Sequence, residues 1–135
     1  MNLETAMRVA STGMKVQSAR LRVVAENLAN AESTARTPGG EPYRRKTIEV
    51  TGRRDRSSGA TLVEIRRYGT DRSELPLRYL PGHPAADAAG YVRFPNVNPL
   101  IELVDMREAQ RSYEANLNAM QMARGMIQRT LDILR

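Results

Sequence analysis

The chain has 135 residues, 41% of them hydrophobic, with 1 Phe and 0 Trp, so it is one average domain or a small domain with helical arms, and any core is aliphatic. The absence of cysteine excludes a disulfide framework, a thiolate metal site and a thiol nucleophile. The formal charge of +6 falls as +1 over residues 1–35, +5 over 36–93 and 0 over 94–135, which makes nucleic acid a partner class to be weighed. The start of the chain has no Lys/Arg-rich stretch followed by an apolar core, and Glu4 and Arg8 interrupt it, which argues against a secretory signal. No run approaches the roughly 20 apolar residues of a membrane span.

In chain order, the first element is a helix over residues 3–29. Leu3, Met7, Ala10, Met14, Gln17, Leu21, Val24 and Leu28 follow one another at three- and four-residue steps, the spacing of helices that pack on helices. Asn2 is placed to cap it, with Glu4 favourable in the first turn. Val9, Val16 and Val23 form a second row, widening the apolar face to about three positions in seven, which suits a multi-helix bundle. Residues 31–42, rich in Ser, Thr, Gly and Pro, read as loop.

The middle of the chain has strand character at 46–50 and 61–68, joined through a polar turn region at 51–60 that Gly52 and Gly59 bracket, so a hairpin is expected. Short apolar stretches at 75–80 and 91–94 flank a turn-rich segment, 81–90. This insert is too polar to hold a large core. Its tracts Arg44, Arg45, Lys46 and Arg53, Arg54, Arg56 resemble phosphate-neutralising patches, but Glu49, Asp55, Glu64, Asp71 and Glu74 interleave with the cations and no aromatic platform accompanies them, so a solvated basic surface is the stronger reading.

The last helix is expected over residues 99–134, about 50 Å at 1.5 Å per residue. Asn98 is placed to cap it, Pro99 sits where a first-turn proline loses no hydrogen bond, and Glu102 and Asp105 follow in the early turns. Its seam is Leu103, Met106, Gln110, Tyr113, Leu117, Met120, Arg124, Ile127, Leu131 and Leu134, with Met122, Met126 and Ile133 off it. A helix apolar on several sides expects to be surrounded, and one companion helix cannot do that, so other subunits are implied. Gln17, Gln110 and Arg124 lie on the seams, either to specify register or at the rim of the bundle. Five methionines, Met7, Met14, Met106, Met120 and Met122, read as adaptable packing.

The fold class that follows is mainly α, two long terminal helices forming a coiled coil or helical bundle with a small β-rich insert between them. Three segments are expected: 1–35, the first helix and the start of the loop; 36–95, the basic insert; and 96–135, the last helix, with the two termini building one helical domain. Catalytic chemistry is not in view. His83, the single histidine, lies in a Pro-Gly-His-Pro turn without companions or a nucleophile, Gly39-Gly40 lacks the lysine and hydroxyl of a phosphate loop, and Glu102 with Asp105 are more simply first-turn helix charges. No enzyme, cofactor or metal is expected.

Residues 21–34, LRVVAENLANAEST, centred on Asn27-Leu28-Ala29-Asn30, resemble the N-terminal signature of bacterial flagellar rod and hook proteins. Gly40 to Lys46, Pro81 to Asp87 leading into Gly90-Tyr91-Val92, Pro95 to Asn98 and Arg111 to Asn116 follow in an order similar to proximal rod proteins of the flagellar basal body. The resemblance spans nearly the whole chain; residues 53–72 have no matching motif. It implies a structural subunit of a tubular rod that transmits torque and encloses an export channel. It also implies export through the flagellar type III apparatus without a cleaved signal, and a place in the periplasm-spanning basal body. The implied partners are further copies of the chain, rod proteins of the FlgB, FlgF, FlgG and FliE types, and the export apparatus; neither nucleic acid nor membrane insertion is implied.

The assembly interface expected on that reading comprises Leu3, Met7, Met14, Leu21, Val24, Asn27, Leu28 and Asn30 on the first helix. On the last it comprises Leu103, Met106, Tyr113, Leu117, Met120, Ile127, Leu131 and Leu134. Asn27 and Asn30 are placed either to satisfy backbone groups at the helix end or to bridge to a neighbour, with Asn30 as a simple helix stop the plainer alternative. Ordering costs about 1 to 2 kcal/mol per residue, so arms with little core are expected to be mobile in the free chain and helical once neighbours cover them. The competing readings are another type III secreted helical filament or needle component and, more remotely, a basic nucleic-acid-binding protein.

Overall fold

A computed structural model describes residues 2–135. The element order is α1 (Leu3–Ala29), β1 (Lys46–Arg54), β2 (Thr61–Thr70), β3 (Leu77–Tyr79), β4 (Tyr91–Arg93) and α2 (Pro99–Ile133). The helices begin as their capping residues dictate. The Thr5 amide donates to Asn2 Oδ1 at 2.7 Å, and the Leu100 amide to Asn98 Oδ1 at 3.1 Å with Pro99 at the first helical position. The hairpin strands run longer than the apolar pattern predicts, because ladder hydrogen bonds continue through the polar residues 51–54, where side-chain hydropathy carries no signal.

The chain divides into two compact units. The first comprises Met1–Leu21, Ile48–Arg67 and Met106–Arg135. In it Val16 and Leu62 are buried, and a cavity of about 330 Å³ is lined by Thr12, Lys15, Arg53 and Ile65 among others. A Cβ built on Gly13 would stand 2.8 to 3.0 Å from the side-chain amide of Asn116, so the absence of a side chain at Gly13 is what lets α1 and α2 approach there. The hairpin turn hangs on Asp55. Its Oδ2 accepts from Ser57 Oγ at 2.8 Å, from Ser58 Oγ at 2.7 Å and from the Arg8 guanidinium at 3.1 Å, while Gly59 takes a φ of +70° that a side chain would strain.

The second unit comprises Arg22–Thr47 and Tyr68–Asp105. Its strands β3 and β4 pair antiparallel, Leu77 with Arg93, Arg78 with Val92 and Tyr79 with Tyr91. Val92, Phe94 and Ala85 form a small apolar cluster, on which the Arg78 guanidinium stacks 4.2 Å from the Phe94 ring centre. Tyr79 and Tyr91 meet edge to face across the strands. Phe94 is the one aromatic ring of this cluster, with small aliphatics around it.

Candidate functional site

Asn27, residues 43–46 and Asn96, from three of the segments with family-like sequence, meet Glu102 in the second unit in a polar clasp. Asn27, near the end of α1, is 0% exposed and uses its entire amide. Its Oδ1 accepts from the Tyr43 hydroxyl at 2.7 Å and from the Lys46 amide at 2.9 Å; its Nδ2 donates to the Lys46 carbonyl at 3.0 Å and to Glu102 Oε2 at 3.3 Å. Glu102 is likewise 0% exposed, and its other oxygen accepts from the Arg45 guanidinium. A buried carboxylate is tolerated when cationic and amide donors surround it, as here. Burial first, then the nearby carboxylates of Glu26 and Glu102, push the Tyr43 phenol above its ordinary value, which keeps it a donor.

A second asparagine extends the clasp. Asn96 Oδ1 accepts from the Arg45 amide at 2.7 Å, and its Nδ2 donates to the Asp71 carbonyl at 3.0 Å and to Ser73 Oγ at 3.1 Å. Arg93 donates to the carbonyls of Gly39 and Gly40 and to Glu41. The Gly39-Gly40 pair therefore presents carbonyl oxygens to a cation, the opposite of a phosphate cradle. His83 serves the turn: its Nδ1 accepts from the Ala85 amide at 3.0 Å and its Nε2 lies 3.3 Å from Thr34 Oγ1. Asn30 both follows the last residue of α1 and closes it, donating to the Glu26 carbonyl at 2.9 Å.

The helix faces are distributed differently from the apolar rows of the sequence. On α2 the enclosed positions are Glu102, Ala109, Asn116 and Ala123, seven residues apart and all small or polar; Asn116 is half-buried and the others buried. Met106, Tyr113, Leu117, Met120 and Ile127 are half-buried, whereas Leu103, Leu131 and Leu134 are exposed. Leu100, Ile101, Val104, Met122, Met126 and Ile133 are exposed as well, Ile133 to 84%. On α1, Val24 is buried with Asn27, and Leu3, Met7, Met14, Leu21, Leu28 and Asn30 are half-buried. Of the second row, Val16 and Val23 are among the most enclosed residues. Gln110 and Arg124 are exposed, while Gln17 Oε1 is enclosed and has no hydrogen-bond partner among the described residues.

Sequence reasoning located the motifs but missed the partners. Glu102 is more than a first-turn helix charge, and the roles of Arg45, Tyr43 and Asn96 depend on contacts 16 to 57 residues apart along the chain, which no local pattern encodes. Glu102 stands beside the apolar seam that begins at Leu103, so the periodicity carried no signal for it.

Comparison with known proteins places these features. Residues 7–36 match the family model for flagella basal body rod proteins, and residues 88–133 that for the flagellar basal body rod FlgEFG protein C-terminal region. The flagellar basal-body rod protein FlgC of Agrobacterium fabrum is 49% identical over 98% of this chain and 96% of its own length. The chain belongs to the FlgC family. Other FlgC proteins extend the likeness: that of Borreliella burgdorferi is 38% identical over 99% of both chains, and that of Salmonella typhimurium 39% over 93% of this chain and 92% of its own. The first matched segment contains Asn27 and Asn30 and the second contains Asn96, Glu102 and α2, while residues 37–87, with Tyr43, Arg45 and Lys46, lie outside both family models.

Proposed function

We propose that the chain is a structural subunit of the flagellar basal-body rod, whose terminal helices pack against copies of the chain and against other rod proteins of the FlgB, FlgF, FlgG and FliE types. The observation that carries the reading is the set of large apolar side chains left uncovered along α2 in a chain that matches FlgC proteins end to end. Each such Leu or Ile gains roughly 1.5 to 3 kcal/mol when a neighbour covers it, which makes an assembly the low-energy state of these helices. The assembled tube transmits torque, encloses the export channel and spans the periplasm, and subunits reach it through the type III apparatus. No described helix is long and apolar enough to cross a membrane.

Placing charge on the uncovered apolar face tests this. The double variant Leu103→Asp/Leu131→Asp alters two exposed positions, so the purified chain is expected to keep its helical circular dichroism while incorporation into isolated basal bodies, and swimming, are lost. Normal incorporation would remove this face from the interface. A needle or filament component of another secretion system is not favoured by the family match, and the carboxylates interleaved with the arginines weaken a nucleic-acid reading.

A further inference from the structure

The whole formal excess of +6 sits in one unit: the first holds 13 basic and 7 acidic residues, the second 8 of each. That excess divides evenly, +2 in each of residues 1–21, 48–67 and 106–135, but the hairpin holds the closest set of arginines, Arg53, Arg54, Arg56, Arg66 and Arg67, mixed with Glu49, Asp55 and Glu64. Internal pairing does not consume these arginines. Glu49 alone holds both Arg66, at 2.9 Å, and Arg67, at 2.6 Å, and Glu64 holds Arg53 at 3.0 Å. The side chains of Arg53, Arg66 and Arg67 nevertheless stay 63%, 66% and 73% exposed. Arg54 and Arg56 are exposed and form no ion pair among the described residues. Guanidinium groups that share one carboxylate, or have none, keep planar donor pairs free for further carboxylates.

We propose that this hairpin docks the acidic surface of a partner protein. A second copy of the hairpin would bring the same net positive charge and be repelled from it. A nucleic-acid strand or an anionic membrane would set its phosphates against Glu49 and Glu64, which lie among the arginines. Residues 48–67 also contain no aromatic ring to stack on a base, and the turn at 55–60 offers no large apolar side chain to enter a bilayer. A protein surface of carboxylates with an occasional cation complements such a mosaic, giving fast encounter and fixed orientation.

The inference rests on charge placement alone, so its failure leaves the rod reading untouched. The test uses the full chain and a fluorescently labelled peptide of alternating glutamate and serine, about 20 residues long, followed by anisotropy at about 50 mM salt. Arg54→Glu/Arg56→Glu is expected to weaken binding about tenfold or more. Arg124→Glu/Arg129→Glu, which changes the net charge equally on exposed positions of α2, is expected to bind as the parent does. Arg54→Gln/Arg56→Gln gives an intermediate loss and guards against a folding defect, checked by circular dichroism. Equal loss in the hairpin and α2 variants would reduce the effect to net charge and overturn the proposal. So would tighter binding to an oligothymidylate of matched charge or to phosphatidylglycerol vesicles.

Discussion

At the scale of single residues, stability is concentrated in side chains that finish one another's hydrogen bonds. Removing the Asn27 amide orphans the Tyr43 hydroxyl and both backbone groups of Lys46, all in a part-buried setting, and a donor to the buried Glu102. Asn27→Ala is therefore expected to cost about 3 kcal/mol, read from urea denaturation. Little change would show that water replaces the amide. Asp55 gives a pH signature. Hydrogen bonds from Ser58 and Ser57, helped by the Arg8 charge, hold its carboxyl at about 2 against an ordinary 3.8. Because the folded value is depressed, its contribution is complete above about pH 4 and is lost as the pH falls through about 2. The parent chain should lose more stability over that window than Asp55→Asn; identical acid profiles would detach the turn from Asp55.

At the scale of elements, helix contact is set by small residues rather than large ones. Alanine at position 13 gains helix propensity of up to about 1 kcal/mol but drives its Cβ into the Asn116 amide, itself tied to the Ser112 carbonyl. Gly13→Ala is expected to lower stability by about 1 kcal/mol, and Gly13→Ala/Asn116→Ala to recover it, because the smaller side chain vacates the space. Failure of the double variant to recover would mean the backbones themselves stop the approach. Here the sequence is legible only in part. Caps at Asn2 and Asn98 and the helix lengths follow from local chemistry and are readable residue by residue. The enclosed row of α2, at Glu102, Ala109, Asn116 and Ala123, is not, because periodicity reports where large apolar groups recur and these positions carry small or polar ones. The pairing of β3 with β4 was hidden likewise, since three-residue strands give too short a run for any period to register.

At the scale of the whole molecule, large apolar side chains face away from the chain's own core, which is how a subunit differs from a finished domain. The last buried residue of α2 is Ala123; beyond it only Gly125 and Ile127 are even half-buried, and Leu134 is 78% exposed. An isolated helix of about a dozen residues is marginal in water, so the segment 124–135 depends on its neighbours for stability. Residues 99–123 differ in kind, since Glu102, Ala109 and Ala123 anchor them. Peptide-resolved amide exchange on the dilute, monodisperse chain should find 124–135 exchanging almost at once and 99–123 protected, with the terminal segment gaining protection in isolated basal bodies. Strong protection of 124–135 in the monomer would mean that the helix end is stable uncovered. Assembly would then join preformed helices, and the gain from covering Leu131, Ile133 and Leu134 would appear wholly as affinity instead of being divided between folding and binding.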